Sequence, residues 1–198
     1  MRNWRYLLRV SPLWSFLRVR HVWPVAGITV MSWLYLALAG PFITVPFQQR
    51  SVPSPLIWPV LAALGSLLLS ISQSRQWEAG SSRNLAPYRL ASLLLLSALN
   101  LVVARLLLHD LALPSLLIWY MFMHAVALGG VPFVAERAWL PLAAIALISM
   151  YEMGQPDSVV VRVMQRPGPV AIVAAVLVYV IATVRVSTTQ PPLQGDDQ

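Results

Sequence analysis

Six apolar runs separated by short polar connections set the pattern of this chain. They cover about Val22 to Ala39, Leu56 to Ser72, Leu90 to Leu108, Pro114 to Val134, Ala138 to Tyr151 and Pro169 to Val186. A helix needs roughly 20 apolar residues to cross a bilayer core. Most of these runs approach that length; the fifth, about 14 residues, is marginal. The pattern predicts an all-α fold: a polytopic membrane bundle of about six transmembrane helices forming one domain over residues 1–198, with the bundle over 22–186 and a short polar cytoplasmic tail over 187–198.

Residues 1–21 read differently. On a helical wheel Trp4, Leu7 and Leu8 share a face with Trp14, and Arg2, Arg5 and Arg9 lie opposite. That arrangement suits an amphipathic helix lying in the membrane interface, with its aromatic face in the acyl boundary. Ala37-Leu38-Ala39 resembles a signal-peptide cleavage site, but the leading segment is too long and the apolar stretch exceeds the usual length of roughly 7–15 residues.

Composition agrees with the membrane class. Only 11% of residues are charged and 58% are hydrophobic, against roughly 25% charged in a soluble domain. The loops leave no room for a soluble catalytic or ATP-binding domain. The net charge of +7 rests on Arg alone, since the chain has no Lys. In so apolar a chain it points to topology and anionic lipid, not to nucleic acid. With the N-terminus inside, Arg2, Arg5, Arg9, Arg18, Arg20, Arg75, Arg83, Arg89, Arg137 and Arg185 fall on the inner face. Arg50, Arg105, Arg162 and Arg166 fall outside. This asymmetry predicts cytoplasmic N- and C-termini, and the Arg-only, Ala/Leu/Val-rich composition suggests a bacterial plasma membrane.

Catalytic chemistry finds little support. There is no cysteine, and His21, His109 and His124 are too far apart for metal-ligand spacing. Paired intramembrane carboxylates are missing, as is a G-x-x-x-x-G-K-[ST] phosphate loop. No enzyme activity, metal or cofactor is expected. Asn100 and His124 are the polar residues deepest in the apolar runs. Such residues are candidates for function, although interhelical hydrogen bonding is the more ordinary role. Gly65-Ser66 and Gly129-Gly130 suit close helix contact. Trp23, Trp33, Trp58, Trp119 and Trp139 lie mostly near run ends, as an aromatic belt would place them. Residues 41–55 read as a Pro-rich loop.

The most informative connection is Gln73 to Arg89. It is long, polar and, in the predicted topology, cytoplasmic. It carries Arg75, Trp77, Glu78, Gly80, Ser81 and Arg83, and Leu85-Ala86-Pro87 follow. The order of parts resembles the type-2, exporter-like family of ABC transporter permeases. That family has an amphipathic connecting helix, six spans, a coupling helix between spans two and three, and a larger outer loop before the last span. Glu78-Ala79-Gly80-Ser81 is similar to the acidic, Gly and hydroxyl pattern of its coupling loop. The resemblance implies a permease subunit driven by a separate ATP-binding-cassette ATPase and paired with a second permease subunit in the lipid bilayer. A non-transporting subunit that scaffolds or regulates a larger membrane complex is the alternative.

Reporter fusions test the topology. Fusions at Arg9, Arg83, Arg137 and Gln190 are expected to report the cytoplasm, and those at Arg50, Asp110 and Asp157 the outside. An external signal at Arg83 would remove the coupling reading.

Overall fold

The computed structural model describes residues 22–40, 42–44, 51–71, 86–108, 113–134, 137–153, 155, 158, 162 and 167–188. Among them are six α-helices: α1 Val22–Leu38, α2 Trp58–Ser70, α3 Ala86–Leu107, α4 Leu113–Val134, α5 Trp139–Met153 and α6 Pro169–Thr188. Each coincides with one of the apolar runs. Three of them, α3, α4 and α6, are long and apolar enough to cross a membrane. The other three are shorter; α5, with 15 residues, extends only about 22 Å at 1.5 Å per residue.

Two boundaries depart from the sequence reading. Helix α3 starts at Ala86, so Pro87, Tyr88 and Arg89 belong to its first turn and not to the preceding loop. Proline suits that position, because the first-turn amides have no partner within the helix. Residues 41–55 are not simply a loop. Strands β1 Phe42–Thr44 and β2 Ser51–Pro53 pair antiparallel, with Ile43 opposite Val52, and a 3₁₀ turn over Ser54–Leu56 leads into α2.

Side chains tie this hairpin to the helices. Tyr35 Oη donates to the Ser54 carbonyl at 3.1 Å. Ser54 Oγ donates to the Gly40 carbonyl. Trp119 Nε1, near the start of α4, donates to the Leu56 carbonyl at 2.7 Å. The end of α1 and the starts of α2 and α4 therefore lie at one end of the bundle. Arg185, near the end of α6, stacks over the Phe133 ring at the end of α4, 5.5 Å from its centroid. Those two ends meet at the opposite pole, as the up-and-down order of the runs predicts.

Helices α2 and α4 form the interior. Helix α2 packs on α1, α3, α4 and α5, and α4 packs on α2, α5 and α6. One apolar cluster gathers Val25, Ala63, Leu67, Leu93, Met123, Leu128 and Ala182. A second, toward the hairpin, gathers Leu36, Trp58, Ala62, Ala104, Leu116 and Tyr120. The tryptophans split accordingly. Trp23 and Trp139 are exposed as a belt requires, but Trp58 is fully buried and Trp119 nearly so. Gly65 lets α1 and α2 approach: a Cβ there would lie 3.4 Å from Thr29 Oγ1 and 3.9 Å from Ile28 Cγ2. At Gly130 the corresponding neighbours are Pro141, within α5, and Ala138, just before it, at 3.3 and 3.5 Å. A Cβ at Gly129 would touch nothing within 4 Å.

These contacts predict opposite outcomes for two substitutions at one position. Gly65→Ala adds a methyl at ordinary contact distance and should leave the thermal transition of the detergent-solubilised protein near that of the wild type. Gly65→Leu must wedge α1 from α2, at a cost of about 1–3 kcal/mol, and should lower the transition clearly.

Candidate functional site

Threaded through the two apolar clusters is a band of polar and aromatic side chains contributed by five helices. Helix α1 supplies Thr29, Ser32 and Trp33; α2 supplies Trp58; α3 supplies Ser97 and Asn100; α4 supplies Tyr120 and His124; and α6 supplies Tyr179 and Thr183. All except the half-buried Trp33 are buried. The spacing follows from helix periodicity: Ser97 and Asn100 stand three apart, and Tyr120 and His124, like Tyr179 and Thr183, four apart, so each pair shares a helix face.

Some of these groups are satisfied within their own helix. Ser32 Oγ donates to the Thr29 carbonyl at 2.7 Å, and Thr183 Oγ1 donates to the Tyr179 carbonyl at 2.8 Å. Two bonds cross between helices. Trp33 Nε1 donates to Asn100 Oδ1 at 2.8 Å, and Tyr179 Oη donates to Ser97 Oγ at 2.7 Å. Helix α3 is thereby held to α1 on one side and α6 on the other.

An aromatic series runs through the band. Trp58 stacks on Tyr120 with centroids 5.2 Å apart. Tyr120 stacks on His124 at 3.9 Å. His124 meets Tyr179 edge-on at 6.3 Å. His124 Nδ1 lies 2.8 Å from the Tyr120 carbonyl. The Tyr120 hydroxyl faces Ser97 and Asn100 but closes a hydrogen bond to neither.

Asn100 and His124, singled out by sequence, thus come together through Tyr120. The sequence reading missed Tyr120, Tyr179, Ser97 and Trp58, and it assigned Trp33 and Trp58 to the membrane-interface belt. Shared faces within α3, α4 and α6 were visible in the i, i+3 and i, i+4 spacings. Nothing in the sequence said that those faces meet. The proposed coupling residues Arg75, Trp77, Glu78, Gly80, Ser81 and Arg83, and the interface-helix residues Arg2, Trp4, Arg5, Leu7, Leu8 and Arg9, lie outside the described residues. Among the described residues no group of three or more His, Cys, Asp or Glu could hold a metal ion. No family model, curated protein or solved structure matches the chain.

The Trp33–Asn100 bond predicts a non-additive pair. Trp33→Phe leaves Asn100 Oδ1 without its donor and should destabilise the protein by about 0.6–1.7 kcal/mol, from the average to the largest value for interhelical hydrogen bonds in membrane bundles. Once Asn100 is Leu, Trp33→Phe should cost measurably less. A double-mutant cycle on the thermal transition checks this, and equal costs in both backgrounds would deny the bond any energetic weight.

Proposed function

We propose that this chain is the membrane permease subunit of an ABC-type exporter in a bacterial plasma membrane. It works beside a second permease subunit, either another copy or a sister chain, and is driven by a separate ATP-binding subunit. In this reading all six helices cross the bilayer, both termini are cytoplasmic, and the short α1, α2 and α5 are accommodated by local thinning of the membrane.

The observation that carries the reading is the attachment point of the 72–85 connection. It joins α2 to α3, and α2 packs against α1, α3, α4 and α5. Close-packed interiors transmit displacement instead of absorbing it. A force on this connection therefore reaches four neighbouring helices through one rigid element. The connection also has the right chemistry for a soluble partner: Glu78 flanked by Arg75 and Arg83, with Gly80 and Ser81 following. A carboxylate presented on a short polar segment pairs with a basic group or caps a helix on the ATPase.

One observation favours the second reading, a scaffolding membrane subunit that transports nothing. The interior is filled by Trp58, Tyr120, Met123, His124 and Leu128, all essentially inaccessible. A pathway would then have to form between two permease subunits and not within one.

Glu78→Arg separates the readings. If the connection couples to an ATPase, reversing this charge should leave expression and thermal stability unchanged, because Glu78 falls in the polar stretch of sequence between the apolar runs of α2 and α3. It should weaken ATPase binding by roughly 2–5 kcal/mol and abolish substrate-stimulated ATP hydrolysis. Co-purification with the candidate ATPase and its turnover are the measurements. Normal values for both would leave the scaffold reading as the better account.

A further inference from the structure

Four polar groups in the central band have no hydrogen-bond partner although their residues are completely buried: Trp58 Nε1, Asn100 Nδ2, Tyr120 Oη and His124 Nε2; the last three belong to side chains brought together through Tyr120. Their hydrogen-bonding characters follow from their neighbours. The Trp33 indole is a donor only, so the Asn100 atom facing it must be the oxygen. The amide nitrogen, with two N–H groups, is therefore the free end. The Tyr120 carbonyl is an acceptor only, so His124 Nδ1 carries the proton that faces it. In the neutral ring Nε2 is then a bare lone pair. The Tyr120 hydroxyl can donate or accept. It faces Asn100, while its ring stacks on His124. The Ala62 backbone of α2 also faces the imidazole.

We infer that Asn100, Tyr120 and His124 form a binding site for one neutral, water-sized hydrogen-bonding ligand, with water itself as the occupant. The ligand accepts from Asn100 Nδ2–H and donates to His124 Nε2. Tyr120 Oη supplies the third contact. Three partners is the usual number for a water buried in protein. The site selects a neutral ligand: Asn, Tyr and neutral His bring no formal charge, and no cluster of acidic side chains accompanies them among the described residues. A cation would lack a counter-charge there, and an anion would meet the Nε2 lone pair. The site links α3 to α4, and it stands independently of any transport activity.

The test uses the full chain in lipid nanodiscs, with His21→Gln and His109→Gln so that His124 is the one imidazole. With ¹⁵N-labelled histidine, magnetisation exchange with water is the readout. The expected result is a protonated Nδ1, an unprotonated Nε2 and a cross-peak from the water resonance to Nε2. Tyr120→Phe supplies the second measurement. A ligand-holding hydroxyl is stabilising, so its removal should lower Tm by about 2–4 °C and weaken the cross-peak. A hydroxyl that is merely orphaned costs stability, so its removal should raise Tm. A raised or unchanged Tm, absence of the water cross-peak, or a direct scalar coupling from a Tyr120 or Asn100 proton to Nε2 would each overturn the assignment.

Discussion

A polar side chain buried between helices has no bulk water to fall back on, and this constraint organises the molecule. An unpaired buried donor or acceptor costs on the order of 1–3 kcal/mol, so such groups dictate which helix faces may meet. Helix α3 shows the effect most directly. It is long, apolar and mostly exposed along its length, and a generic apolar surface would let it rotate or slide. The bonds from Trp33 to Asn100 and from Tyr179 to Ser97 set its rotation and its depth together. Dispersion and apolar contact supply the general adhesion of the bundle, and these two directional contacts select one arrangement.

Helix α4 has the complementary role. It is the most buried of the three long helices, and its Tyr120 and His124 are stacked between α2 and α6. The aromatic series gives the bundle a continuous stiff cross-section at the level of the polar band. Helix α2 meets that cross-section through Trp58 near one end and leads into the 72–85 connection at the other. In the exporter reading this makes α2 a lever whose outer end rests on the aromatic stack.

The elements were legible because apolar runs bounded by Pro, Gly and charged residues leave few alternatives. The runs placed all six helices to within a few residues, and Arg89 marks where they misled: a charge normally signals a loop, yet here it lies buried in the first turn of α3. The hairpin over 42–53 was illegible, since three-residue strands among prolines carry no period-two pattern long enough to recognise. The candidate site was half legible. Asn100 and His124 stand out against Leu and Val, but Trp33, Trp58, Tyr120 and Tyr179 look the same whether they line a lipid interface or pack inside a bundle. Their role depends on rotation about each helix axis. An all-round apolar helix does not encode that rotation in its periodicity, and the interhelical hydrogen bonds do.

The Trp33–Asn100 bond joins residues 67 positions apart in the chain. Neither side chain has another hydrogen-bonding partner as good within its own helix. A lineage that replaced Asn100 with an apolar residue would strand the indole, and one that replaced Trp33 would strand the amide oxygen. Either single change leaves one half of the bond unpaired, whereas the two changes together remove both halves. Positions 33 and 100 are therefore linked in substitution: what either one tolerates depends on the residue at the other, although 66 others separate them in the chain.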